Sequence, residues 1–304
     1  MTRPACSLRG FTLIEMIVVI VITGVISGMV AVFIKGPVDS YFDMARRAEL
    51  TDVADTAARR MGRDIRLALP NSVRNPVDGS DQCIEFMPTK SGGRYRAEQA
   101  APSTPTCPGP VPCGDTLDFT GTDASFDMLG LNSSLPASSQ IAAGDVVVVY
   151  NDGSTSGNAY SGLNAVQIAA GGVSAGDTAN TTKLGFVAAG ATIFARKLFP
   201  STSPANRFQV IPAAEHVVAY VCGGGKLYRY ARTLAAAYPM PATCPVVPIG
   251  TPILANNVSC SIKYEPPGSG SGAGRYGIVS ISLTASQAGE AANLYHQVHV
   301  DNTP

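Results

Sequence analysis

The chain has 304 residues, 22 basic and 22 acidic, and a formal net charge of zero. Only 14% of residues are charged, 7% are aromatic and Trp is absent, which excludes both a clustered cationic groove and a base-stacking platform for nucleic acid. Gly (31) and Pro (22) are abundant while 45% of residues are apolar, a balance that predicts short strands and many turns around a real core and excludes disorder.

Residues 1–10 (MTRPACSLRG) form a short segment carrying Arg3 and Arg9. From Phe11 to Ile34 the only charge is Glu15. At a rise of ~1.5 Å per residue this run is roughly 36 Å long as a helix, enough to cross a hydrocarbon core of about 30 Å. A cleavable secretory signal has an apolar stretch of only ~7–15 residues, so residues 11–35 read as a retained transmembrane helix. The basic residues before it and the long remainder after it place the N-terminus in the cytoplasm. Glu15 stands out, because an acidic residue at the membrane centre costs ~2.5–3.5 kcal/mol and usually has a partner. The plainer reading puts it near the cytoplasmic edge, reaching headgroups. Gly24 and Gly28 form a small-xxx-small pair; ordinary glycine frequency in membrane helices accounts for it better.

The stretch Arg9-Gly10-Phe11-Thr12-Leu13-Ile14-Glu15 resembles the prepilin-peptidase site of type IV pilins and type II secretion pseudopilins. That pattern is Gly, then Phe, then a hydrophobic run with Glu at the fifth mature position. The resemblance implies a leader of residues 1–10, cleavage between Gly10 and Phe11 by prepilin peptidase, and N-methylation of the Phe11 amine. It also implies that Glu15 pairs with the N-terminal amine of a neighbouring subunit. A buried carboxylate with an amine in reach is compensated, and an unpaired one is not.

Lys35-Gly36-Pro37 interrupts the apolar run, and Pro37 predicts a kink or a restart. Residues 36–70 follow as an amphipathic segment, helical from about Ser40 to Leu69. Leu50, Val53, Ala57, Met61, Ile65 and Leu69 fall on one stripe at steps of three and four. Asp52, Asp55, Arg59, Arg60, Arg63 and Arg66 lie on the other side, a solvated face on which Asp55 and Arg59 have favourable i,i+4 order. Pro70 stops the helix.

Residues 71–304 form the head, where the period changes to two. Thr116–Phe119, Asp145–Tyr150, His216–Cys222, Lys226–Ala231, Cys260–Tyr264, Gly277–Leu283 and Leu294–Val300 read as strands. Residues 89–114, 151–162, 199–206, 232–258 and 266–274 read as long loops. Val279, Ile281 and Leu283 alternate with Ser280, Ser282 and Thr284, as in an antiparallel sheet with one wet face. The expected fold is α+β: a long N-terminal helix, half transmembrane and half amphipathic, packed on an antiparallel β-sheet head with long loops.

Seven cysteines are present. Removing Cys6 with the leader leaves an even set: Cys83, Cys107, Cys113, Cys222, Cys244 and Cys260. Disulfides among them fit an oxidising compartment such as the periplasm. Six cysteines allow 15 connectivities. The pairing we favour closes a small Cys107–Cys113 ring, joins Cys222 to Cys244 across a hairpin-like segment, and leaves Cys83 with Cys260.

Catalytic signatures are lacking. His296-x-x-His299 on a strand puts the two rings on opposite faces, with His296 buried beside Leu294, Val298 and Val300. Gly223-Gly224-Gly225-Lys226 lacks the phosphate-loop spacing and reads as a hairpin turn. No G-x-S-x-G, H-E-x-x-H or zinc-spaced Cys/His set occurs. Asp115, Asp118, Asp123 and Asp127 do not match an EF-hand loop. No cofactor or metal is expected, and the chain reads as the substrate of an enzyme, prepilin peptidase, and not as an enzyme.

Pro37-Val38, Tyr41-x-Asp43, Arg46-Arg47-Ala48-Glu49-Leu50-Thr51-Asp52, the stretch from Arg63 to Arg74, and His296-Gln297-Val298-His299-Val300-Asp301-Asn302 resemble the O-type minor pilin-like proteins of mannose-sensitive haemagglutinin pilus biogenesis. That resemblance implies a minor subunit that initiates or caps a filament. It would partner other major and minor pilins and the inner-membrane assembly platform, with the head in the periplasm and later at the cell surface. A J-type pseudopilin of type II secretion and a membrane-anchored periplasmic binding domain are the alternatives.

Overall fold

A single helix, α1 (Leu13–Arg66), carries the chain from its apolar N-terminus into the head. It has 54 residues, about 81 Å at the helical rise. In the computed structural model, residues 10–268 and 276–304 are described. Arg3, Cys6 and Arg9 of the leader and most of the 266–274 loop lie outside the described residues. The N-terminal part of α1 is long and apolar enough to cross a membrane, and none of residues 13–49 is buried by the head.

Pro37 does not break α1, contrary to expectation; the helix is continuous through it. Proline removes one i→i−4 bond, but the helical runs on both sides keep their own ladders. The other end falls short of Leu69. Leu67 N–H bonds to the Asp64 carbonyl (3.1 Å) and Ala68 N–H to that of Ile65 (3.1 Å), tightening the last turn. Arg63 and Arg66 in that turn complement the negative end of the helix dipole.

Thirteen strands follow among the described residues: β1 (Cys83–Phe86), β2 (Ser91–Arg94), β3 (Ser125–Leu129), β4 (Val146–Val148), β5 (Ala165–Ala175), β6 (Thr181–Phe186), β7 (Arg207–Ile211), β8 (Val217–Gly223), β9 (Lys226–Arg232), β10 (Ile253–Asn256), β11 (Val258–Glu265), β12 (Tyr276–Gln287) and β13 (Glu290–Asp301). They form three sheets, ordered β1-β8-β9-β10, β11-β12-β13 and β2-β7-β4-β5-β6-β3. Six of the seven expected strands are present; Thr116–Phe119 is irregular. Two expected loops contain strands, β2 in 89–114 and β10 in 232–258.

β1 and β8 are neighbours, with Cys83 opposite Val221 and Phe86 opposite Val218. All of β2–β7 lies between them in sequence. Residues 91–211 are therefore an insertion between two adjacent strands, with a sheet and an aromatic core of their own around Phe126, Phe186 and Phe208. The four-stranded and three-stranded sheets share a second core with α1, which contributes Leu50, Ala54, Ala57, Met61 and Ile65. Fully burying Met61 or Ile65 stabilises this docking by about 1.5–3 kcal/mol each. Gly62 lets α1 approach β13: a Cβ there would lie 3.0 Å from His296 Nε2. His296 is thus half-buried between helix and sheet, not fully buried as expected, while His299 is exposed on the other face. The β8–β9 turn is the expected Gly hairpin, with Gly224 and Gly225 at φ 59° and 74°.

Candidate functional site

Gly10 and Phe11 are exposed and precede the first helical turn. Thr12 is extended (φ −80°, ψ 152°) and caps α1. Its hydroxyl accepts the Glu15 N–H (3.3 Å), and its own N–H donates to Glu15 Oε2 (3.5 Å). This capping box satisfies two N-terminal groups that have no partner inside the helix. The T-x-x-E spacing ahead of an apolar run is the sequence signal for this cap, one absent from the motif readings above. An exposed, extended peptide just ahead of a rigid helix is open to an endopeptidase. Glu15 lies in the first turn of the helix, four residues after Phe11.

Residues 8–31 match the prokaryotic N-terminal methylation motif. The segment is that of prepilin-type, type IV pilin-like proteins. Searches of curated proteins and of solved structures find no match to the chain. The prepilin-type motif implies processing by prepilin peptidase and assembly with other pilins, and α1 provides the apolar helix that such proteins use as a membrane anchor.

In the head, the disulfides are Cys83–Cys244, Cys107–Cys113 and Cys222–Cys260, with Cα separations of 5.7, 5.8 and 6.1 Å. The small ring is as expected; the other two pairs exchange partners. Strand faces explain why. Cys222 and Cys260 lie in the α1-side core with Tyr220 and Ile262. Cys83 points to the opposite face with Ala219 and Val221, where Cys244 packs. Cys222–Cys260 therefore ties the four-stranded sheet to the three-stranded one. Mass mapping of the oxidised protein should recover these three linked pairs; a Cys222–Cys244 peptide would contradict this assignment.

Three polar clusters hold α1, the sheets and the insertion together, and none was legible beforehand. Asp64 of α1 accepts from Tyr220 Oη (2.8 Å) and Arg229 Nε (2.8 Å). Arg229 also forks onto Glu215 (2.9 and 2.7 Å). These two carboxylates push the Arg229 pKa up, chiefly through the Glu215 hydrogen bond, and burial pushes the Tyr220 hydroxyl up. Glu85, buried on β1, accepts from Arg74 (2.7 Å) and Arg232 (2.6 Å). The Arg74 guanidinium lies 3.5 Å above the Tyr160 ring of the insertion. At the base of the insertion, buried Asp145 meets Lys90 Nζ (2.6 Å) and accepts the Ala213 N–H (3.0 Å).

The four aspartates singled out earlier are turn and junction residues. Asp118 accepts the Thr120 N–H (2.7 Å), Asp123 the Asp118 N–H (2.8 Å). Asp127 is fully buried, 3.6 Å from Arg96 Nε, and accepts the Asp115 N–H (3.2 Å).

Proposed function

We propose that this chain is a minor subunit of a type IV pilus of the mannose-sensitive haemagglutinin type, acting at filament initiation or the tip, and that it is a structural subunit, not an enzyme. Prepilin peptidase cuts after Gly10, the Phe11 amine is methylated, and Glu15 sets the register against a neighbouring helix. Before assembly, α1 crosses the inner membrane once and holds the head in the periplasm.

The observation that carries this reading is Glu15 within a matched methylation motif, on a helix whose residues 13–42 are all exposed and which first meets the head where Arg47 pairs with Glu290. Such a helix has its whole apolar surface available to lipid and then to other helices. The insertion at 91–211 supports a minor role, since a bulky head is hard to tile at every helical step. The two remote segments that carry the finer resemblance also meet in space. Asn71 N–H donates to Asn302 Oδ1 (3.0 Å), and Asn71 Nδ2 to the Asn302 carbonyl (3.1 Å). They act as one structural unit, joining the end of α1 to the end of β13.

Deleting the gene in its host should abolish surface pili and leave exoprotein release intact. Loss of secretion with pili retained would instead assign the chain to a type II secretion pseudopilus.

A further inference from the structure

Residues 239–252 form a strap with prolines at 239, 241, 245, 248 and 252. It is held at one end by Cys83–Cys244 and by bonds from the Val77 and Asp78 N–H groups to the Pro241 and Ala242 carbonyls (2.9 and 3.1 Å). Between the strap and the β8–β9 hairpin lies an open groove of about 630 Å³. Its wall is largely apolar, including Val221, Tyr228, Val247 and Ile253, and its one charged residue is Lys226. The groove lies on the face carrying Cys83, Ala219 and Val221, opposite the α1-side core. At its rim Val246 is 90% exposed and Ile249 fully exposed.

We infer that this groove docks a segment of another pilin-like subunit, apolar and carrying one carboxylate that faces Lys226. Large apolar side chains held out on a braced loop mark a surface that a partner covers. The prolines and the disulfide hold the strap in place before binding, which cuts the ordering cost. A small amphiphile filling the groove would meet Ile249 on its wall but leave Val246 in water, whereas a polypeptide covers groove and rim together. Lys226 supplies the charge that selects an acidic residue. Because α1 lies on the far side of the sheet, the groove stays accessible while the helix is packed in a filament.

The inference rests on the filament reading above. It is tested in the full-length chain in its native host, with the photocrosslinker p-benzoylphenylalanine replacing Ile249. The expected result is an adduct with a different prepilin-type subunit, mapped to an apolar segment containing Asp or Glu. Lys226→Glu in the same chain should lower the adduct yield about tenfold, an effect typical of an interface anchor, without changing the melting temperature. A processed, filament-incorporated chain that gives no adduct, an adduct only with a second copy of itself, or an adduct indifferent to Lys226→Glu overturns the groove assignment. An adduct formed by a chain still uncut at Gly10 keeps the groove and overturns the filament reading; an uncut chain with no adduct overturns both.

Discussion

Glu15→Ala leaves cleavage after Gly10 intact and lowers the amount of this chain in sheared filaments at least about a hundredfold. On the proposed reading the peptidase acts on Gly10 and Phe11, which are exposed and outside the helix, so processing has no need of the carboxylate. Assembly does. A charge paired in low dielectric and then deprived of its partner costs about 3–5 kcal/mol, and each ~1.4 kcal/mol is tenfold in an equilibrium. The structure supplies a rival role, because Glu15 also closes the capping box with Thr12. Glu15→Gln separates the two: it keeps an acceptor for the Thr12 N–H but removes the charge. Incorporation lost in both variants supports charge pairing between subunits. Wild-type incorporation of Glu15→Gln would mean that Glu15 only caps its own helix. Immunoblots of sheared pili, with membrane levels as the control, read the outcome.

Glu85→Gln should destabilise the head by about 3–5 kcal/mol, the range for breaking a buried ion pair. The Glu85 side chain is 3% exposed and bridges Arg74 and Arg232, themselves 10% and 15% exposed. Two guanidinium groups thus share one carboxylate. The remaining positive charge rests on the rings of Tyr160 and Tyr238, 3.5 and 4.5 Å from Arg74 and Arg232. Arg74 also donates to the Pro239 carbonyl (3.1 Å). Without the carboxylate both cations stay buried and unpaired. Because Tyr160 belongs to the insertion and Pro239, whose carbonyl Arg74 bonds, begins the strap, the loss loosens three parts of the head at once. Natural domains are stable by only about 5–15 kcal/mol, so the midpoint of a urea transition of the full chain in detergent should fall sharply. A change under about 1 kcal/mol would show that water reaches the cluster.

The long apolar helix, the methylation motif and the strands after residue 215 other than β10 were legible because each follows one simple rule. A membrane-length apolar run has few alternatives, and β12 alternates buried and wet side chains as a one-faced strand does. Within the insertion only β4 was legible, from its valine run inside Asp145–Tyr150. It is buried on both faces, with Val146 and Val148 in one core and Val147 in another, so its apolar run and not alternation marks it. β2 reads Ser-Gly-Gly-Arg, which looks like a turn. Its glycines are there for closeness: a Cβ on Gly93 would sit 2.9 Å from the Phe208 ring, and one on Gly92 2.9 Å from the Phe208 carbonyl oxygen. β5 is long, glycine-containing and irregular in its pairing with β6.

At the candidate site, Gly10, Phe11 and Glu15 stand out only through their resemblance to the prepilin-peptidase site, whereas the Thr12 cap follows from local T-x-x-E spacing. Nearness in sequence favours Cys222–Cys244, but strand face decides the two long-range disulfides. Alternation along β8 puts Cys222 with Tyr220 and Val218, toward α1, and so away from Cys244. The charged clusters were illegible for a different reason. Arg232 is 147 residues from Glu85, and nothing local shows that it converges on the Arg74–Glu85 pair.

The central claim, that this chain is processed as a pilin-type subunit, is tested most directly by the mass of its N-terminal peptide after isolation from native membranes. The expected peptide begins at Phe11 and carries one extra methyl group. A chain that still begins at Met1 would be an uncut anchor, and one that begins well beyond Ile34 would be a released domain; either would contradict the account.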